Sequence, residues 1–115
     1  MRMIYLSHPY TGNEQANRFH AHRIAAGLAR EHPGIVFLNP INAMRHTVTA
    51  GLDYDTVIRQ CLEILSRCDG IIMAGEWRES RGCMAEFRAA QGIGMQIYDG
   101  AGEFARECRE GQETP

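Results

Sequence analysis

Asp69-Gly70-Ile71-Ile72-Met73-Ala74, then Ser80-Arg81-Gly82-Cys83-Met84-Ala85-Glu86, then Met95-Gln96-Ile97-Tyr98: this stretch decides the fold. Asp69-Gly70 turns the chain into the apolar run 71–74, which is short and does not alternate, as suits a strand buried on both faces. Gly75 to Glu79 reads as a loop, and Ser80 is placed to cap a helix reaching about Ile93. Gly94 ends that helix, and residues 95–98 form the next strand. A strand, a helix and a second strand joined by such short loops make a parallel crossover unit.

The same alternation extends in both directions. Upstream, Met3 to Ser7 is an apolar strand, and His8-Pro9-Tyr10-Thr11-Gly12 is a loop because Pro and Gly break both periods. Asn13 is placed to cap a helix running to about Glu31, with Ala21, Ile24, Ala25 and Leu28 on one face. Pro33-Gly34 ends it, and Ile35 to Leu38 is a second buried strand stopped by Asn39-Pro40. Residues 40–53 read as a loop with a helical turn. Asp53 or Asp55 then opens a helix through Arg67, whose apolar face carries Ile58, Cys61, Leu62 and Leu65. Downstream, a short helix spans roughly Gly102 to Arg109, and Gly111 to Pro115 is expected to fray. The order β-α-β-α-β-α-β-α predicts one α/β domain over residues 1–110. It would be a flavodoxin-like or Rossmann-like three-layer sandwich whose parallel sheet has four or five strands. Ligands of such sheets bind outside the carboxyl ends of the strands, which points to the loops His8–Gly12 and Gly75–Ser80.

Composition narrows the chemistry. At 115 residues the chain builds one core, and its net charge of −2 carries no basic stripe for a nucleic-acid backbone. All 12 basic residues are Arg, which removes a phosphate-binding, Schiff-base or general-base lysine. Cys61, Cys68, Cys83 and Cys108 form no C-x-x-C pair and have no His at zinc-ligand spacing, so reduced thiols in the cytoplasm are expected and no metal is assigned. No apolar stretch approaches the roughly 20 residues of a membrane span, and the N-terminal run is too short for a signal peptide.

Within the deciding stretch, Glu86 falls in the second helical turn if Ser80 is the cap. A helical side chain leans over the preceding turn, here over Gly82, where the missing side chain would leave room for part of a ligand. The helix N-terminus and the Ser80 hydroxyl suit an anion. A solvated Glu on an amphipathic helix has the same spacing, so pattern alone leaves both readings open. Tyr5 lies in the first strand, beside the third in this topology, within reach of a carboxylate on the following helix. It reads equally as a core aromatic whose hydroxyl is satisfied at the edge. His8, at the mouth of the first loop, is placed to meet an anion or a base, whereas His20, His22, His32 and His46 read as ordinary helix or loop polar residues.

The series Ile4-Tyr5-Leu6, Val36-Phe37-Leu38-Asn39-Pro40, Cys68-Asp69-Gly70-Ile71-Ile72 and Ser80-x-Gly82-x-x-x-Glu86 resembles the nucleoside 2-deoxyribosyltransferase superfamily. It is most similar to the small 2-deoxynucleoside 5-monophosphate N-glycosidases and to a domain group reading W-x-x-S-R-G-x-x-x-E. The resemblance makes Glu86 the nucleophile and Tyr5 the strand tyrosine that hydrogen-bonds it. Ser80 falls on the serine that touches the 5-phosphate, and the loop Pro9 to Asn13 falls on the phosphate-binding loop. The implied substrate contacts are Ser7, His8, Pro9, Thr11, Gly12, Asn13, Ser80 and Gly82. Where the family has an Asp that helps protonate the departing base, this chain has Cys61, and a thiol is a poor replacement. Asp53 or Asp55, in the preceding segment, is the candidate to reach in instead.

The resemblance thus implies cleavage of the base–sugar bond of a (deoxy)nucleoside 5-monophosphate through a covalent glycosyl-Glu86 ester, by hydrolysis or by transfer to a second base. It implies no cofactor, and a homodimer or larger assembly of this chain to complete the pocket. Two other functions fit the same residues: a non-catalytic nucleotide-binding module, and a glycohydrolase that cleaves NAD at its nicotinamide bond.

Overall fold

Alternate side chains of the first strand, β1 (Arg2–Ser7), point to opposite sides of the sheet, and both sides are covered. Ile4 and Leu6 pack with Ile72, Ala74, Leu28 and Phe104 on one side. Tyr5 packs with Ile71, Met73, Cys61, Leu65 and Cys83 on the other. A computed structural model describes residues 1–113 of the chain and places every element that sorts these two cores.

After β1 come α1 (Glu14–Glu31), β2 (Ile35–Leu38), α2 (Pro40–Ala43), α3 (Arg45–Thr49) and α4 (Tyr54–Leu65). Then follow β3 (Gly70–Met73), a 3-10 turn at Trp77–Glu79, α5 (Arg81–Gly92), β4 (Gln96–Asp99) and α6 (Ala101–Glu113). The sheet order is β2-β1-β3-β4, all parallel, with Tyr5 opposite both Leu38 and Ile71. Residues of α1 and α6 share one core and residues of α4 and α5 the other, which is the three-layer α/β sandwich expected from the sequence. The described residues supply four strands. Asp69 latches the start of the central pair: its N–H donates to the Met3 carbonyl at 2.8 Å, and its Oδ2 accepts from the Met3 N–H at 2.8 Å.

Several local expectations change. β2 is an edge strand and only half-buried, with Val36 41 % exposed, because β1 pairs with one side of it and no strand among the described residues with the other. Residues 40–53 hold two short helices rather than a single turn; Pro40 starts the first, where its fixed φ suits a helix N-terminus. Asn13 precedes α1 without a side-chain cap bond. Asp53, and not Asp55, caps α4 by accepting from the Thr56 N–H at 2.7 Å. The last helix continues to Glu113, so residues 111–113 of the expected frayed end are helical, and Thr114 and Pro115 lie outside the described residues. No described helix is long and apolar enough to cross a membrane.

Phe104 anchors α6: its ring meets Tyr98 at 4.9 Å, His32 at 5.4 Å and Phe37 at 5.6 Å between centroids, all edge-on. Phe104→Ala should destabilise the protein by about 3–5 kcal/mol in urea titrations. Because Tyr5 and Glu86 lie on the other side of the sheet, the variant should retain wild-type ligand binding per folded molecule at low temperature.

Candidate active site

β1 and β3 end side by side, and the Ala74 N–H continues their pairing onto the Ser7 carbonyl at 2.8 Å. The two loops that follow therefore leave from adjacent points. Gly75 keeps them in contact: its φ is +63°, and a Cβ there would stand 3.1 Å from His8 Nε2 and 3.2 Å from Pro9 Cδ. Asn17 of α1 steadies the first loop by donating from Nδ2 to the Tyr10 carbonyl at 3.0 Å. Trp77 steadies the second. It is buried, stacks near Phe87 and donates from Nε1 to Asp99 at 3.0 Å. Ser80 follows as the N-cap of α5, its Oγ accepting from the Cys83 N–H at 3.2 Å.

Glu86, in the second turn of α5, is only 6 % exposed. Tyr5 donates its hydroxyl to Glu86 Oε2, and Ser7 donates to Oε1 at 2.7 Å. The two donors are alternate residues of β1 and so project from the same face of the sheet. Among the described residues no ion pair involves Glu86. Burial raises its pKa above the ordinary glutamate value, and the hydrogen bonds from Tyr5 and Ser7 act against that rise. Tyr5 is pushed well above the ordinary phenol value by burial first and by the Glu86 charge second, so it remains a donor. A carboxylate has about four acceptor positions, so two donors leave capacity on both oxygens.

A cavity of about 300 Å³ opens onto this carboxylate. Its walls are apolar, with Ile41, Met44, Val48, Leu52, Val57 and Ile58 contributed by α2, α3, α4 and the segments joining them; Cys61, Cys83 and Glu86 also line it. A second, more polar groove of about 780 Å³ lies between the two loops, bordered by Pro9, Thr11, Gly12, Asn13, Asn17 and His20 on one side. Glu76, Glu79, Ser80 and Arg81 border it on the other. His8, Thr11, Tyr54 and Ser80 line both spaces, so the two form one continuous site with an apolar arm and a polar arm.

The structure gathers the sequence candidates here and reassigns some of their tasks. Ser7 is fully buried and bonded to Glu86, so it meets a ligand only through that carboxylate. Gly82 lines the apolar cavity beside Glu86, and a Cβ there would stand 3.1 Å from the Tyr54 hydroxyl and 3.3 Å from Ile58 Cδ1. Gly82 therefore lets α4 approach α5 closely. Neither Asp53 nor Asp55 reaches the apolar cavity: the first caps α4, and the second pairs with Arg81 at 3.3 Å on the surface. Glu86 is the only carboxylate among the cavity's lining residues. Cys61 does line the cavity, and its thiol is raised by burial first and by the Glu86 charge second. Two residues escaped the sequence reading. Tyr54 sits at the junction of the two arms, on the α4 face that also carries Ile58 and Cys61, a spacing of i, i+4, i+7 that the pattern contained. His20 lines the polar groove and bonds His8, a long-range contact with no local signal.

A protein-family match described as a domain of unknown function, DUF4406, covers residues 2–99. The chain belongs to the DUF4406 family. Comparisons with curated proteins and with solved structures return no match. The DUF4406 span includes Tyr5, Ser7, both loops, Tyr54, Cys61, Ser80 and Glu86, so the whole candidate site lies inside the family domain.

Carboxyl carbon NMR of this DUF4406 protein should find Glu86 titrating above the ordinary glutamate pKa of about 4.3. Tyr5→Phe removes a hydrogen bond to the charged form and should move that titration further upward. Titration of Glu86 at or below the ordinary value in the wild type would contradict the assigned environment.

Proposed function

We propose that this protein cleaves the base–sugar bond of a (deoxy)nucleoside 5-monophosphate, with Glu86 as nucleophile. The observation that carries the reading is a buried carboxylate without a cationic partner, held by Tyr5 and Ser7 against a cavity of about 300 Å³. Burying a charge this way costs stability, and such costs are concentrated where chemistry uses them. The resemblance to nucleoside 2-deoxyribosyltransferases and nucleotide N-glycosidases supports the same assignment.

In the first step a Glu86 oxygen forms a bond to C1 of the sugar while the C1–N bond breaks, and the base departs with the bonding pair and takes up a proton. The charge that develops on the sugar resembles an oxocarbenium ion. In the second step water, or the nitrogen of a second base, attacks C1. The ester C1–O bond breaks and the carboxylate is regenerated. Tyr5 and Ser7 orient the attacking carboxylate. The apolar arm suits the flat base, and the polar arm suits the 5-phosphate, where Ser80 presents a hydroxyl at the start of α5. A second copy of the chain would close the apolar mouth, where Val48 is 60 % and Leu52 41 % exposed.

The absence of a second carboxylate from the apolar cavity's lining favours one other reading, a nucleotide-binding module without turnover. Incubation with a panel of deoxynucleoside monophosphates, nucleosides and NAD, read out as free base by chromatography, separates these functions; base released from NAD alone would mark a glycohydrolase. Glu86→Gln should abolish base release while still binding nucleotide. Ser80→Ala should weaken 5-monophosphates about 10- to 100-fold relative to nucleosides, the value of one charge-assisted hydrogen bond. Its lost helix cap should also cost about 1 kcal/mol of stability. Wild-type turnover retained in Glu86→Gln would overturn the nucleophile assignment, and equal affinity for nucleotide and nucleoside would overturn the phosphate arm.

A further inference from the structure

His8 and His20 form a hydrogen-bonded imidazole pair that the proposed reaction leaves unused, and its contact with Pro9 places one of the protons. His8 Nδ1 stands 2.7 Å from the Pro9 carbonyl oxygen, which can only accept, so this nitrogen carries a proton. Burial holds the His8 imidazole toward its neutral form, with the Pro9 contact opposing and the neighbouring His20 adding to the effect. Neutral His8 with Nδ1 protonated presents Nε2 as an acceptor. His20 Nδ1, 2.8 Å away, is then the donor, and the two rings meet edge to face at 4.9 Å between centroids. A neutral His20 with its proton committed to His8 has only a lone pair left at Nε2. An anion cannot accept from that nitrogen until it is protonated.

The charges around the polar groove make this protonation consequential. Glu76 and Glu79 line it from the loop after β3, Arg81 from the start of α5, Tyr54 from the start of α4, and His8 from the end of β1. On α1 itself the other lining residue is the neutral Asn17. Arg81 is the one permanent cation among the lining residues, and it already pairs with Asp55 at 3.3 Å and lies over the Tyr54 ring at 5.0 Å. A dianion entering the groove therefore meets two carboxylates and no unengaged permanent cation. His20, exposed on α1, is the group that can become one.

We propose that His20 binds the phosphoryl dianion as an imidazolium, with His8 fixing its Nδ1–H, so that ligand binding takes up a proton from solvent. This rests on the nucleotide reading of the site, and it adds a binding residue and a pH dependence to it. The sign follows directly: a ligand that requires the protonated ring binds more tightly at lower pH and loses affinity as pH rises.

The test is isothermal calorimetry with 2-deoxyribose 5-phosphate, a probe that has no base to lose and does not depend on base specificity. Titrations at pH 7.5 in two phosphate-free buffers of different ionisation enthalpy should give different heats, corresponding to net proton uptake by the wild type. A phosphomonoester is already dianionic at this pH, its second pKa being about 6. His20→Gln, an exposed substitution expected to melt with the wild type, should abolish the uptake, flatten the pH dependence of affinity between pH 6.5 and 8.5, and weaken binding about tenfold. Equal heats in the two buffers, or unchanged affinity in His20→Gln, would overturn the proposal while leaving the nucleophile assignment to stand on Glu86→Gln. Failure of the probe to bind the wild type would also overturn it, and base release from unphosphorylated nucleosides would then show that the catalytic reading survives without a phosphate arm.

Discussion

The hydrogen bonds from Tyr5 and Ser7 to the buried Glu86 carboxylate constrain more of this structure than any other contact. Two donors on alternate positions of one strand reach one carboxylate only if that strand is central and the helix after its neighbour begins at the sheet's carboxyl edge. The order β2-β1-β3-β4 supplies the first condition, and the turn of chain between β3 and the Ser80 cap supplies the second. The constraint carries a cost. Because burial raises the Glu86 pKa, the folded state holds its proton more tightly than the unfolded chain does. Stability from this group is present at low pH and is lost as pH rises from the ordinary glutamate range through the folded value. The aromatic packing around Phe104 on the opposite side of the sheet lies outside this conflict, where full burial can stabilise the domain without touching the site.

The two arms, which share His8, Thr11, Tyr54 and Ser80 and of which the apolar one reaches Glu86, impose opposite demands on a ligand. Apolar side chains from α2, α3 and α4 favour a flat group that gains by leaving water. The loops after β1 and β3 offer hydroxyls, amides and a helix start to a group that must keep polar partners. A molecule with both characters, joined at a carbon that can lie beside the carboxylate, satisfies the site as a whole. The contact of Gly75 with His8 and Pro9 matters here, since it brings the two polar loops close enough to act on one group.

What could be read in the sequence followed the range of the interactions responsible. The strands, α1, α4 and α5 were legible because periodicity and capping are local, and Ser80 is a cap in the structure as in the pattern. Tyr5 was legible as within reach of a carboxylate on the helix after the third strand, with a plain core aromatic equally open by pattern, and the resemblance implied Glu86 as its partner. Residues 40–53 were not, since helices of four and five residues carry too few turns to show a period. Gly82 was legible as an opening beside Glu86, and it does line the cavity there, but the approach of Tyr54 to it depends on how α4 crosses α5, which no local pattern shows. His20 looked like a helix polar residue because its partner sits twelve positions earlier on another element.

Cys61 stands where the resembled superfamily has an Asp, and its surroundings say what that exchange does to Glu86. The position lines the cavity, and its thiol interacts with Tyr5 and feels the Glu86 charge. A carboxylate there would be a like charge beside Glu86 in a low-dielectric pocket, and two such groups resist ionising together. The thiol, raised by burial, stays neutral and leaves Glu86 as the one carboxylate among the cavity's lining residues. In the proposed reaction Cys61 would weaken proton donation to the leaving group and remove one repulsive contribution to ionising Glu86. Such an exchange suits a leaving group that departs with little acid assistance, or one that brings its proton from solvent through the polar arm. The proposed reaction would therefore depend on two separable quantities, the ease of ionising Glu86 and the supply of protons to what departs. Cys61 favours the first at the expense of the second.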